Sequence, residues 1–173
     1  MTIVTERAVP ADARAIAQIH VDAWRAAYAQ ILPAPFLAAQ SVDAREAMWR
    51  DAITAGTSLV LVARDRTGVA LRGWLSCGAC RDDDAPADCA EIWAVYVDPH
   101  RWNAGCGRAL WVQARQALRA RGYARCSLWV FSRNERALRF YRSIGFALDA
   151  IAPRTFELGG ATVEEVRLVA PLS

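Results

Sequence analysis

The residues from Glu91 to Gly107 run an apolar strand into Pro99 and then into a glycine pair, Gly105 and Gly107, that opens a helix. Glycine has no Cβ, so the backbone here can turn tightly and approach a ligand closely. The helix that begins with Arg108-Ala109-Leu110 offers unpaired N–H groups and the positive end of its dipole, a natural seat for an anion. This spacing is suited to a phosphorylated cofactor, although a glycine pair also serves an ordinary tight turn. Further along, Leu128 to Phe131 read as a strand that breaks at Asn134. A short helix follows, with Ala137, Leu138 and Tyr141 on one face, and Gly145 stands where a left-handed C-cap residue is wanted.

Taken together, the two segments resemble the GNAT superfamily of acyl-CoA-dependent N-acyltransferases. The likeness rests on Val97-Asp98-Pro99, on the Gly105-Cys106-Gly107 helix start, and on Asn134, Ala137, Phe140-Tyr141 and Gly145-Phe146. It extends to the N-terminus, where a strand from Ile3 to Pro10 precedes a helical run through His20, Trp24 and Tyr28 to Leu32-Pro33, and so covers essentially the whole chain.

The resemblance implies a set of roles. Acetyl-CoA is the co-substrate, with no metal. Its pantetheine arm pairs with the backbone at Val95 and Val97. Its pyrophosphate rests on N–H groups from Asn103, Ala104, Gly105, Cys106, Gly107 and Arg108, and Asn134 adds a contact. Tyr141 holds the position from which the family's tyrosine protonates the leaving thiolate: a phenol near pKa ~10 can donate to a thiolate whose free pKa is near ~8.5. The rival reading is a tyrosine packed in the core. Glu91 starts the central strand, where several members carry a general base, and a surface or strand-end carboxylate is the alternative. A carboxylate near pKa ~4.3 needs burial or a water relay to serve as that base. Trp24 and Tyr28 on the first helix, with Trp93, are placed against the acceptor, or in the core. The chain departs from the family pattern at Trp102, where Gln or Arg is usual; Arg101 or Arg108 is left to supply that charge.

Composition narrows the alternatives. A chain of 173 residues suits one domain, 1–173. Its hydrophobic fraction is 54%, yet its longest apolar runs are of strand length, and no secretion signal stands at the N-terminus, so a cytoplasmic protein without a membrane span is expected. The net charge is only +3, and all 21 basic residues are Arg. Lysine Schiff-base chemistry is therefore excluded. Arg133, Arg136, Arg139 and Arg142 recur every three residues and read as a solvated face rather than a nucleic-acid stripe, with one of them free to reach the cofactor's phosphates. The five cysteines include Cys77 and Cys80 in C-x-x-C spacing without a second such pair, and read as structural thiols rather than a zinc or redox site. Asp82-Asp83-Asp84 is read as a hairpin tip, or as a lure for a cationic amine.

The elements fall in the order βααβββαβαββ, an α/β (α+β) fold with a mixed, mostly antiparallel sheet of about seven strands and helices on both faces. The expected activity is acetyl transfer to a primary amine of a small molecule or peptide by direct attack. A different acyl-CoA donor and a non-catalytic acyl-CoA sensor remain as alternatives. Exposed strand edges leave room for a homodimer.

Overall fold

The computed structural model describes residues 3–65, 67 and 70–173. The strands are β1 (Ile3–Arg7), β2 (Leu59–Asp65), β3 (Leu71–Ala79), β4 (Cys89–Val97), β5 (Arg125–Phe131), β6 (Ala147–Leu148), β7 (Arg154–Leu158) and β8 (Ala161–Pro171). The helices are α1 (Ala13–Ala27), α2 (Ala34–Ala38), α3 (Val42–Ala55), α4 (Cys106–Ala120) and α5 (Glu135–Ser143). One sheet runs β1-β2-β3-β4-β5-β8-β6, with β7 paired to β8 beyond that path. Neighbours are antiparallel except β4 and β5, which are parallel and joined through α4.

Local chemistry explains the boundaries. Ser41 caps α3 by accepting from the Ala44 N–H at 3.2 Å, and α3 stops where Gly56 turns left-handed. Asn134 caps α5 in the same way through Ala137. Alternation along β2 sends Leu59, Leu61 and Ala63 to the α4 face and Val60 and Val62 to the face covered by α1 and α3. A third cluster, Tyr28, Leu32, Leu37, Phe131 and Val163, packs the end of α1 and α2 against β5 and β8.

Three expectations are corrected. The sheet has eight strands rather than about seven, because Arg154–Leu158 forms a hairpin with β8. The strand expected over Phe146 to Ile151 shrinks to Ala147–Leu148, since β8 offers it only Val169 and Leu168. The prolines after Leu32 start the short helix α2, proline being tolerated in a helix's first turn. The expected hairpin turn around Asp65-Arg66-Thr67-Gly68 and the strand start at Val69 fall partly on Arg66, Gly68 and Val69, outside the described residues.

Candidate active site

β4 and β5 pair only from Cys89–Glu91 to Arg125–Ser127, and beyond Glu91 they separate. The opening between them is the central feature of the site. In an antiparallel ladder, residues alternate between bonding the partner strand and pointing away from it. The Asp98 N–H donates to Arg72 O on the β3 side at 2.9 Å, so Val95 and Val97 turn their N–H and C=O groups toward the opening. A bulge at Trp93 sets this phase: the register steps from Cys77 opposite Ile92 to Ser76 opposite Ala94. Ile92 therefore packs toward α4, as do Val95 and Val97, while Ala94 and Tyr96 join the α1 side. A cavity of about 540 Å³ fills the opening and continues along both sides of the sheet.

At one end the cavity meets the loop that leads into α4. Asn103 and Gly105 both adopt left-handed φ values, 64° and 85°. The turn leaves the N–H groups of Cys106, Gly107 and Arg108 ahead of the first helical bond, Ala109 N–H to Gly105 O. Gly107 must be small for a second reason, since a Cβ there would stand 2.9 Å from the ring of Phe140 on α5. Asn103, Gly105, Cys106, Gly107, Arg108 and Asn134 all line the cavity, as Val95 and Val97 do. Ala104 does not, and its N–H is already bonded to Arg101 O at 3.3 Å, which corrects its expected place among the anion donors. Burial pushes the Cys106 thiol up to about 11, so it stays protonated and inert near neutrality.

Trp102, the departure from the family pattern, anchors this end. Its indole N–H donates to Val97 O at 3.0 Å, and the Arg136 guanidinium of α5 lies 4.1 Å over its ring. Arg108 reaches the end of the same helix through Ser143 O at 3.2 Å. Loop and helix are thus bridged, with Arg101, Arg108 and Arg136 all lining the cavity. Arg136 comes from the periodic arginine run; Arg139, by contrast, makes an exposed pair with Glu135.

Tyr141 lines the cavity from α5, its ring packed near Phe140 and Phe146. Burial raises its pKa well above that of a free phenol, and its hydroxyl makes no hydrogen bond among the described residues. Glu91 is placed differently. It is buried, its Oε2 accepts from the Arg81 backbone N–H at 3.0 Å and Nε at 3.1 Å, and its Oε1 accepts from Arg81 Nη2 at 2.7 Å. It does not line the cavity, because β4 and β5 are still bonded at Glu91 and part only beyond it. A general base at Glu91 would therefore have to act through a water relay, from a carboxylate held by Arg81.

The other end is aromatic. Trp24 and Tyr28 of α1, Trp93 and Tyr96 of β4, and Trp129 and Phe131 of β5 line it, with Phe156, Leu158 and Glu165 from the β7–β8 hairpin. The Tyr28 and Tyr96 hydroxyls lie 3.2 Å apart, and burial raises the pKa of both. Trp93 spans the rim, its indole N–H donating to Ala79 O at 3.3 Å and the Arg81 guanidinium 4.8 Å from its ring. His20 lies behind this wall in the core: Trp49 donates to its Nδ1 at 3.2 Å, it stacks on Tyr96, and burial lowers its pKa to about 3. Asp83 and Asp84 are exposed in the turn between β3 and β4, and Asp82 and Asp84 are not free to draw in an amine, because Arg167 forks onto Asp84 at 2.7 and 2.8 Å and also bonds Asp82 at 3.2 Å. Arg136 is the member of the arginine run that reaches the site, whereas Tyr96, Phe156, Leu158 and Glu165 were not expected there. For Tyr96 a signal existed, since it sits between Val95 and Val97, but the hairpin residues depend on a strand pairing that sequence alone does not show.

Among the described residues no helix is long and apolar enough to cross a membrane, and no group of His, Cys, Asp or Glu is arranged to hold a metal ion. The pattern of the Acetyltransferase (GNAT) family matches residues 15–146. An uncharacterized N-acetyltransferase of Bacillus subtilis, YuaI, is 31% identical over 157 residues, 91% of this chain and 86% of that protein. A mycothiol acetyltransferase of Nocardiopsis dassonvillei is 38% identical over 84 residues, 47% of this chain but 25% of that protein. A phosphinothricin acetyltransferase from Sinorhizobium meliloti, solved with acetyl-CoA, superposes with a TM-score of 0.76 at 23% identity over 100% of this chain and 90% of that one. A PaiA N-acetyltransferase from Thermoplasma acidophilum, solved with coenzyme A, does so with a TM-score of 0.75 at 19% identity, covering 95% and 98%. Likeness at that identity speaks for the fold alone. The match over most of its length and the Bacillus relative together make this chain a member of the GNAT family of acetyltransferases.

Proposed function

We propose that residues 1–173, acting as one domain, transfer the acetyl group of acetyl-CoA to a primary amine of a small molecule or peptide by direct attack. The opening between β4 and β5 carries this reading. It presents backbone groups of Val95 and Val97 along one wall, helix N–H groups and three arginines at one end, and an unpartnered phenol between the ends. An extended amide-bearing arm is recognised by such a strand edge, and a pyrophosphate by such a helix start.

The reaction consumes an ammonium ion and a thioester and yields an amide, a thiol and a proton. The amine must lose its proton before it attacks; the thiolate must gain one as it leaves. Tyr141 is the donor to the thiolate. Its raised pKa keeps the phenol protonated at every working pH, so it is always available to hydrogen-bond the developing sulfur anion. Val95 and Val97 orient the arm, and Asn103, Gly105, Cys106, Gly107 and Arg108, with Asn134, hold its far end. Trp24, Tyr28 and Trp93 border the acceptor. The Glu91–Arg81 pair holds the loop after β3 rather than moving a proton.

The test has two parts. Acetyl-CoA at about a hundred times its Kd stabilises a native state that alone binds it by about 2.7 kcal/mol, raising the Tm by several degrees. Coenzyme A release is then followed with a panel of primary amines. An unmoved melting curve refutes the cofactor assignment, and a clear shift without turnover on any amine refutes the catalytic one.

A further inference from the structure

The charges lining the cavity are sorted. Arg101, Arg108 and Arg136 stand at the α4 end, and among the described residues of the lining Glu165 is the one anion, at the aromatic end. Arg154, directly opposite Glu165 on β7, donates from Nε at 3.0 Å and approaches from Nη2 at 2.9 Å. Both contacts fall on Oε2, so Oε1 has no partner among the described residues. Arg154 also lies 3.9 Å over the Trp129 ring and is about half exposed, outside the cavity lining, whereas the Glu165 side chain is only 15% exposed. Trp129 already has a cation on its surface, and Phe156, which lines the same cavity from β7, is 37% exposed.

From this arrangement we propose that Glu165, with the rings of Trp129, Tyr28 and Phe156, is the acceptor subsite, and that it takes a cationic amine with a flat or apolar body and no carboxylate beside the amine. This rests on the acetyl-transfer reading and names its substrate class. Two features decide it. A half-enclosed carboxylate with a free oxygen attracts an ammonium, and aromatic faces add cation–π attraction. Among the described residues the cavity lining at this end holds no cation for a substrate carboxylate: Arg154 bonds Glu165, Arg167 bonds Asp82, Asp84 and Asp149, Arg45 lies over Trp24 from outside the lining and bonds Gln40, and the three lining arginines belong to the other end. Bringing a second carboxylate beside Glu165 sets like charges together and is unfavourable. Because Arg154 draws on the same carboxylate, it competes with the acceptor for Glu165.

The test uses 2-phenylethylamine and phenylalanine, which differ by one carboxylate. Binding of each to the full chain is measured by calorimetry, independently of turnover, and the acetyl-CoA melting shift is recorded separately. The expected result is binding of 2-phenylethylamine at least tenfold tighter than phenylalanine, a loss of at least tenfold in Glu165→Gln, and equal or tighter binding in Arg154→Gln. Equal or better binding of phenylalanine overturns the proposal, as does binding of neither compound. Equal weakening by both variants also overturns it, since the pair would then be structural. A missing acetyl-CoA shift strikes the acetyl-transfer reading instead.

Discussion

The two ends of the cavity are built on different principles. The α4 end comes from two short continuous segments, Arg101 to Arg108 and Asn134 to Phe140, whose working groups are backbone N–H donors and arginines. The aromatic end is assembled from α1, the separated edges of β4 and β5, and the β7–β8 hairpin, and its working groups are side chains. Backbone donors at a helix start survive most substitutions of neighbouring residues, so this end can hold a constant ligand. A wall of rings and one carboxylate changes its chemistry with every substitution. The contrast matches a constant co-substrate at one end and a variable acceptor at the other.

Tyr141 lies between the ends, and its loss is the most severe way to break the comparison. Tyr141→Phe keeps the ring that packs near Phe140 and Phe146 and removes only the hydroxyl. A positioned proton donor contributes about 10² to 10⁴ in rate, so kcat falls by that factor while the acetyl-CoA Kd, set at the α4 end, stays within about twofold. Measuring both under conditions where chemistry limits turnover separates the roles. Turnover at the parent rate would return Tyr141 to the core. Because burial raises its pKa, no alkaline loss of activity below pH ~10 arises from this phenol.

The difference between the ends also explains what was legible in the sequence. Gly105, Gly107, Asn134 and Tyr141 are read from local spacing, because turn, cap and helix face are set within a few residues. Trp24 and Tyr28 stand a helical turn apart on α1, and only the packing of that helix shows that they border the cavity. Glu165 and Phe156 could not be found, since their place depends on β7 pairing with β8 across the Gly159-Gly160 turn, and on β8 then pairing with β5. The surroundings of Glu91 were hidden for a related reason. Its place on the strand was right, but the parting of β4 from β5 one residue later is a property of the sheet.

The second way to separate the ends is acid. His20 backs the aromatic wall, stacked on Tyr96 at 5.1 Å and near Trp24 at 5.5 Å. Its pKa falls from the unfolded value of 6.5 to about 3 because burial disfavours the charged ring. Between those values the unfolded chain binds the proton and the folded one does not, so stability is full above pH ~6.5 and declines as the pH falls toward 3. The loss is on the order of 4 kcal/mol at the lower limit. Chemical denaturation at pH 7 and pH 4 measures it, and His20→Phe should flatten the slope. Hydrogen exchange under acid should loosen α1 before α5; the reverse order would break the contrast.

Trp102 gives a smaller effect at the opposite end. Trp102→Ala removes the bond to Val97 O and the surface on which Arg136 lies. A partly exposed cation–π contact is worth about 0.5–1 kcal/mol and a neutral hydrogen bond about 1 kcal/mol. The acetyl-CoA Kd should rise by up to about ten- to thirtyfold, with the acceptor KM and kcat little changed. Trp102→Phe keeps the ring and should lose only part of that. If acceptor KM moves as much as cofactor Kd, the two ends are not separable in this way.

The smallest expected effect on turnover is at Glu91, and it separates an anchoring role from that of a general base. Glu91→Gln keeps the shape of the side chain and one oxygen for the Arg81 contacts, but removes the negative charge from a buried pair. If the residue anchors the loop after β3, the cost is stability, about 1–3 kcal/mol for a hydrogen bond to a charged group, seen as a lower Tm. The rate should fall less than about threefold, since the carboxylate stands outside the cavity and no proton passes through it. A general base behaves otherwise: its replacement costs about 10²-fold or more and removes the acid limb of the pH–rate profile. The limb is the deciding reading, because a loosened loop can slow turnover but leaves the apparent pKa of kcat/KM where it was. A limb that persists in Glu91→Gln and disappears in Glu165→Gln would place the proton acceptor at the aromatic end, with the acceptor it serves.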